Sequence, residues 1–113
     1  MKELEKQEFL GDLYAYYGSL LTPVQQSYFE SYYYDDLSLG EIAQNNRVSR
    51  QAVYDNLRRC RKTLLNYEDT LHLQTIQQRT GKKIEKVLQL LENKDLIQAK
   101  QFLQHWLQEL NQE

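Results

Sequence analysis

From Glu41 to Thr80 this chain contains neither glycine nor proline, and its whole length holds one proline, Pro23, and four glycines. With so few residues able to supply turns, a sheet is disfavoured and long helices are favoured. The second half is rich in Gln, Leu, Glu and Lys, which are good helix formers. The expected fold is all-α.

Its 113 residues suffice for one domain, or a small domain with an appendage. At 41% hydrophobic and 27% charged, the balance is that of an ordinary globular chain. No apolar run approaches the roughly 18 residues of a membrane helix. Met1-Lys2-Glu3-Leu4-Glu5 is charged from the start, unlike a signal peptide. A cytoplasmic location without membrane insertion is therefore expected. The single cysteine, Cys60, excludes an internal disulfide.

Six helical segments can be read along the chain. The first, over about residues 3–20, carries Leu10, Leu13, Tyr14, Tyr17 and Leu21 as one stripe, and Gly18-Ser19 weakens its end. Thr22-Pro23 opens the second, with threonine as N-cap and proline at the first helical position. It carries Val24, Tyr28, Phe29, Tyr32 and Tyr33 to about Tyr34, before a break at Asp35-Asp36-Leu37. Ser38 with Glu41 forms a capping box that starts the third, over about 39–45. Ser49 is a further N-cap, and Asn45–Val48 between them has the length of a tight turn. Small Ala43 allows close approach, and Ile42, Val48, Val53 and Leu57 supply a core between the two helices. The pattern over 38–62 is a helix-turn-helix.

Nothing stops the fourth helix between Arg50 and Arg79. Val53, Leu57, Cys60, Leu64, Tyr67 and Leu71 recur at the alternating spacings of a heptad seam. Such a rod of about 28 residues would be roughly 42 Å long, too long for the preceding small bundle to cover. In so short a chain such a seam is more often packing within the molecule, but the length of the rod favours a homodimer along it, with a partner helix seated on it as the alternative. Thr80-Gly81 marks the next boundary. Ile84, Val87, Leu88 and Leu91 define a fifth helix, and Asn93-Lys94-Asp95 is a turn with a cap. Leu96, Ala99, Leu103, Leu107 and Leu110 define a sixth, with Phe102 and Trp106 widening its apolar face. The expected organisation is an N-terminal bundle over 1–62, followed by a helical extension and C-terminal hairpin over 63–113, as one continuous folding unit.

Net charge is −2, but it is unevenly spread: residues 1–46 carry 2 basic and 8 acidic side chains, and residues 47–62 carry 6 basic and 1 acidic. One helix is therefore positive inside an acidic protein, a local patch suited to phosphate with little long-range pull. Arg50, Gln51 and Tyr54 fall early on that helix. Arginine can pair bidentately with guanine and glutamine with adenine. Arg47, Arg58, Arg59, Arg61 and Lys62 suit phosphate, and Asp55 sits among them as an opposing charge. The bland alternative is a solvated basic face.

Other candidates read as structural. Tyr28 and Tyr32 lie four residues apart and suit the core better than base stacking. His72 and His105 are far apart in sequence, with no companion at metal-ligand spacing, so no metal site is expected. Cys60 lies on the apolar seam as a small hydrophobe. No phosphate loop, dinucleotide fingerprint or nucleophile elbow occurs, so neither an enzyme nor a cofactor is expected.

The run Leu21-Thr22-Pro23-Val24-Gln25-Gln26, with Asp36-Leu37-Ser38-Leu39-Gly40-Glu41-Ile42-Ala43, Val48-Ser49-Arg50-Gln51-Ala52-Val53 and Leu57-Arg58-Arg59, resembles region four of bacterial sigma factors. More closely, Tyr17-Gly18-Ser19-Leu20-Leu21-Thr22-Pro23, Tyr34-Asp35-Asp36-Leu37-Ser38-Leu39-Gly40-Glu41-Ile42-Ala43 and Ser49-Arg50-Gln51-Ala52-Val53-Tyr54-Asp55-Asn56-Leu57 are similar to the YlxM family of small helix-turn-helix proteins. That family is encoded beside components of the signal recognition particle. The resemblance implies a noncatalytic accessory or regulatory protein of that pathway, with signal recognition particle RNA, DNA or the particle's protein components as partners. A DNA-binding transcription regulator and a protein-interaction module without nucleic acid are the alternatives. A role in promoter initiation is not implied, because no core-polymerase-binding region lies upstream.

Overall fold

A computed structural model describes residues 3–112, and six α-helices account for most of them. They are α1 (Glu3–Tyr17), α2 (Pro23–Tyr33), α3 (Leu39–Asn46), α4 (Arg50–Leu71), α5 (Leu73–Glu92) and α6 (Leu96–Asn111), with a 3₁₀ turn at Gly18–Leu20 after α1. The chain divides into two compact units, one through Gln74 and one from Thr75.

In the first unit the caps form where the side chains dictate. Thr22 Oγ1 accepts from the Gln25 N–H and Gln25 Oε1 from the Thr22 N–H, a complete capping box on a helix whose first residue is Pro23. Ser38 and Glu41 repeat the arrangement on α3. Ser49 Oγ accepts from the Ala52 N–H and caps α4.

Helix α4 is the organising element, packing against α1, α2 and α3. Leu10, Leu13, Tyr17, Leu21, Phe29, Cys60 and Leu64 form one buried cluster, and Tyr28, Ile42, Ala43, Val53 and Leu57 a second. The spacing that reads as an oligomer seam is therefore mostly an internal core. Val53, Leu57, Cys60 and Leu64 are closed off by the other helices of their own unit, Tyr67 packs against the first cluster, and Leu71 alone is exposed. Val48 also departs from expectation: it is 40% exposed in the turn, outside the core.

Aromatic rings fill the space between α1 and α2. Tyr14 stacks on Phe29 with centroids 4.4 Å apart, and Phe29 stacks on Tyr33 at the same distance. Gly18 is required beneath this layer, because a Cβ there would lie 2.8 Å from the Tyr14 ring.

The rod expected over 50–79 is two helices. Helix α4 ends at Leu71, His72 adopts the left-handed conformation (φ 57°), and its N–H donates to Glu68 O. At 1.5 Å per residue α4 spans roughly 33 Å, a length its own unit covers. Gly81, expected as a boundary, lies inside α5.

In the second unit α5 and α6 form a hairpin. The Asn93–Asp95 connection bends through Lys94 (φ 59°), and Asp95 Oδ1 caps α6 through the Gln98 N–H. Leu90 and Ala99 are buried. Lys83 Nζ reaches Glu109 Oε2 at 3.1 Å and lies 5.4 Å from the centre of the Trp106 ring, joining the two helices. That lysine holds the Glu109 carboxyl below the usual carboxylate range, assisted by His105.

Candidate nucleic-acid interface

The turn between α3 and α4 is built without glycine. Arg47 takes φ 55° at the end of α3, and the Val48 N–H reaches back to Ala43 O at 3.0 Å. This is the closure of a Schellman-type helix end, a role glycine usually fills. It delivers Ser49 to its capping position and lays α4 across α3 with Ile42, Ala43, Val53 and Leu57 packed between. Because that face of α4 is buried, the opposite face points to solvent.

At about 100° per residue, Arg50, Tyr54, Arg58, Gln51 and Lys62 sweep about 120°, from the flank of the buried face at Arg50 to the outward side of the helix at Lys62. All five are exposed. Among the described residues, Arg47, Arg50, Arg58, Arg59 and Lys62 form no ion pair. The Arg50 side chain lies over the first turn of α3, where a Cβ on Gly40 would be 3.9 Å from its Nε.

Three of the sequence candidates sit differently from this stripe. Arg59 is exposed but points about 60° beyond Lys62 around the helix. Arg61 is half-buried and its Nη1 donates to the Tyr33 hydroxyl at 3.1 Å, so it serves the bundle. Arg47 lies in the turn, outside the helix. Within the stripe, Gln51 Nε2 donates to Asp55 Oδ1 at 3.0 Å. That bond is the signature of a Gln/Asp pair four residues apart; it occupies one amide donor and holds a carboxylate at the stripe's edge.

The tyrosines are mostly structural: Tyr28 is buried, Tyr32 and Tyr33 are half-buried, and Tyr34 lies edge-on to Tyr14 and Phe29. Tyr54 is the tyrosine standing exposed on α4. Cys60 is enclosed, with Sγ 3.4 Å from Asn56 Oδ1, and burial pushes its thiol up to about 11. Among the described residues no helix is long and apolar enough to cross a membrane, and no group of His, Cys, Asp and Glu is arranged to hold a metal ion.

One buried polar cluster has no signature in the sequence. The Tyr17 hydroxyl, Glu68, and the first N–H groups of α5 meet where α4 gives way to α5. No local spacing connects residues 17, 68 and 73.

A three-helix core presenting a capped, basic helix after a tight turn defines an all-α helix-turn-helix protein. The chain belongs to the UPF0122 family, the YlxM / p13 like helix-turn-helix proteins, whose model matches residues 4–105. It is 49% identical over 92 residues to a UPF0122 protein of Desulforamulus reducens, covering 81% of this chain and 76% of the relative. It is 56% identical over 71 residues to one from Limosilactobacillus fermentum, covering 63% of each chain. It is 51% identical over 71 residues to UPF0122 protein YofM of Lactococcus lactis, covering 63% of this chain and 64% of the relative. The match thus spans less than two thirds of the last two relatives' length.

Proposed function

We propose that this protein is a noncatalytic regulatory or accessory factor of the bacterial signal recognition particle pathway that acts in the cytoplasm and engages nucleic acid through α4. The observation that carries the nucleic-acid part is the stripe of Arg50, Arg58 and Lys62, exposed and without carboxylate partners on a helix whose other face is fully committed to the core. The stripe offers cations to phosphate without any rearrangement of the fold. Placement in the pathway rests on the resemblance to the YlxM family.

The first turn of α4 also favours a second reading, a DNA-binding transcription regulator. Arg50, Gln51 and Tyr54 are exposed where a helix-turn-helix meets base edges. The major groove of B-DNA admits a helix, whereas that of A-form RNA is too narrow.

Purified protein is titrated with signal recognition particle RNA, the particle's GTPase protein and random duplex DNA at several salt concentrations. On duplex DNA, three to four phosphate contacts give a slope of log K against log salt of about −3 to −4. Arg50→Glu with Arg58→Glu abolishes binding at unchanged helicity. Binding to the GTPase protein alone, or nucleic-acid binding that survives the double substitution, refutes the α4 mechanism and leaves a protein-interaction module.

A further inference from the structure

The second unit is half of something. Leu90 of α5 and Ala99 of α6 are buried, yet Ile84, Leu88 and Leu91 of α5 and Leu96, Leu103, Leu107 and Leu110 of α6 are each 45–67% exposed. Along α5 the exposed apolar residues lie about a quarter-turn from the side that meets α6, and along α6 they lie about a quarter-turn from the side that meets α5. Because the helices run antiparallel, both offsets point to the same face of the hairpin. A groove of about 370 Å³ between Leu91 and Leu96, Leu103 and Leu107 runs along it.

Its area is that of a dimer interface. At about 3 kcal/mol per buried leucine and about 25 cal/mol per Å², each such side chain carries roughly 120 Å², so the seven residues expose on the order of 450 Å² of apolar surface. A standard interface takes about 800 Å² from each partner, about 65% of it apolar in homodimers, or roughly 520 Å². Units below about 40 residues seldom hold a core unaided, and this one begins only at Thr75.

The rims are complementary under two-fold symmetry. Glu85 and Glu92 border the face along α5, with Lys82 and Lys86 farther round that helix, and Lys100 with Gln104 borders it along α6. A two-fold axis parallel to the helices lays each α5 against the partner's α6. It brings the acidic rim over the basic one, with Lys100 within about one helical turn of Glu92 along the axis, near the Asn93–Asp95 turn.

We propose that this face pairs with the same face of a second copy, closing an antiparallel four-helix bundle from two hairpins. The dimer interface lies on α5 and α6, and the inference does not depend on what the basic stripe of α4 binds.

Sedimentation equilibrium of the full chain across a wide concentration range tests this. The wild type is a dimer. Leu103→Glu with Leu107→Glu, at positions already exposed in one copy, keeps its helicity and weakens dimerisation by at least about a hundredfold. Glu92→Lys weakens it about tenfold, and Lys100→Glu added to Glu92→Lys restores it. The charge exchange reports on the interface even if the leucine substitutions disturb the hairpin. A wild type that stays monomeric throughout overturns the proposal, as does a dimer indifferent to both sets of substitutions.

Discussion

The Tyr17 hydroxyl donates to Glu68 Oε1 at 2.7 Å and in turn accepts the Leu73 N–H at 3.1 Å, while the same Glu68 oxygen accepts the Gln74 N–H. A helix leaves its first N–H groups without internal partners. At the start of α5 the Gln74 N–H is buried and the Leu73 N–H partly so, and a side chain from α1 and one from α4 supply the missing acceptors. Tyr17→Phe keeps the ring and its stacking on Tyr67 but strands the Leu73 N–H and removes a donor from a buried carboxylate. The expected loss is about 1–3 kcal/mol in urea unfolding.

The same bond gives the fold an alkaline limit. Burial, then the hydrogen bond to Glu68, raises the ionisation of Tyr17 above its ordinary value of 10.0, and burial with Glu30 does the same for Tyr14. Above pH 10 the unfolded tyrosines lose protons that the folded ones retain, so the native state binds more protons. Stability then falls as pH rises, while below pH 10 the contribution is complete. Unfolding curves collected from pH 8 to 11.5 should show this decline, and Tyr17→Phe should flatten it. An equal decline in the variant would assign the effect to other groups.

The boundary between α4 and α5 rests on His72. A left-handed conformation costs a residue with a Cβ roughly 1–2 kcal/mol, so His72→Gly should stabilise by about 0.5–1 kcal/mol once the entropy of glycine is deducted. Gly81 lies in a helix with open space around its Cα, so Gly81→Ala should add about 1 kcal/mol. Thermal unfolding followed by circular dichroism decides between this and an uninterrupted rod. A helix continuous from Arg50 to Arg79 would instead be weakened by His72→Gly.

These positions show what the residues disclose and what they conceal. Thr22, Ser38, Ser49 and Asp95 announce their helices because a cap is made by neighbours in the chain, and such starts are local events. Helix ends are less legible here. Those after α2, α3, α4 and α5 pass through Asp36, Arg47, His72 and Lys94 at positive φ, where glycine would have been the signal. Tertiary bonds such as that from Tyr17 to the Leu73 N–H hold the break in place instead. The heptad spacing on α4 records a buried face, but spacing alone does not say whether the covering helix belongs to the same chain. The exposed stripe is legible as composition, whereas the withdrawal of Arg61 depends on Tyr33, 28 residues away.

Cys60 should behave as an inert core residue. With its thiol raised to about 11 and its sulfur enclosed, iodoacetamide labelling at pH 8 should be at least about a hundredfold slower in the native protein than in urea. Labelling at comparable rates would mean that the contact between α4 and α2 opens readily.

Asp55 opposes the stripe it borders. Asp55→Asn removes a negative charge and leaves a side-chain oxygen able to accept from Gln51, so the helix should be unaffected. Nucleic-acid affinity should rise about threefold to tenfold at low salt, the scale of one charge felt through water by nearby phosphates. A lower affinity in a binding titration would indicate that the Asp55 carboxylate itself contacts the ligand.

Arg58 and Arg59 are neighbours in sequence with the same charge, and they separate a directional interface from general basicity. Arg58 lies within the outer stripe beside Gln51 and Lys62, whereas Arg59 projects well to one side of it. A polyanion docked on the stripe is reached by Arg58 and missed by Arg59. Arg58→Ala should therefore weaken binding and lower the magnitude of the salt slope by about one contact, near 0.9 on duplex DNA. Arg59→Ala should leave the slope within error of the wild type. Both variants lose one positive charge, so long-range attraction falls equally in each and cancels from the comparison. Equal losses in salt titrations of the two variants would mean that the ligand responds to the net charge of α4, and the orientation assigned to this helix would have to be abandoned.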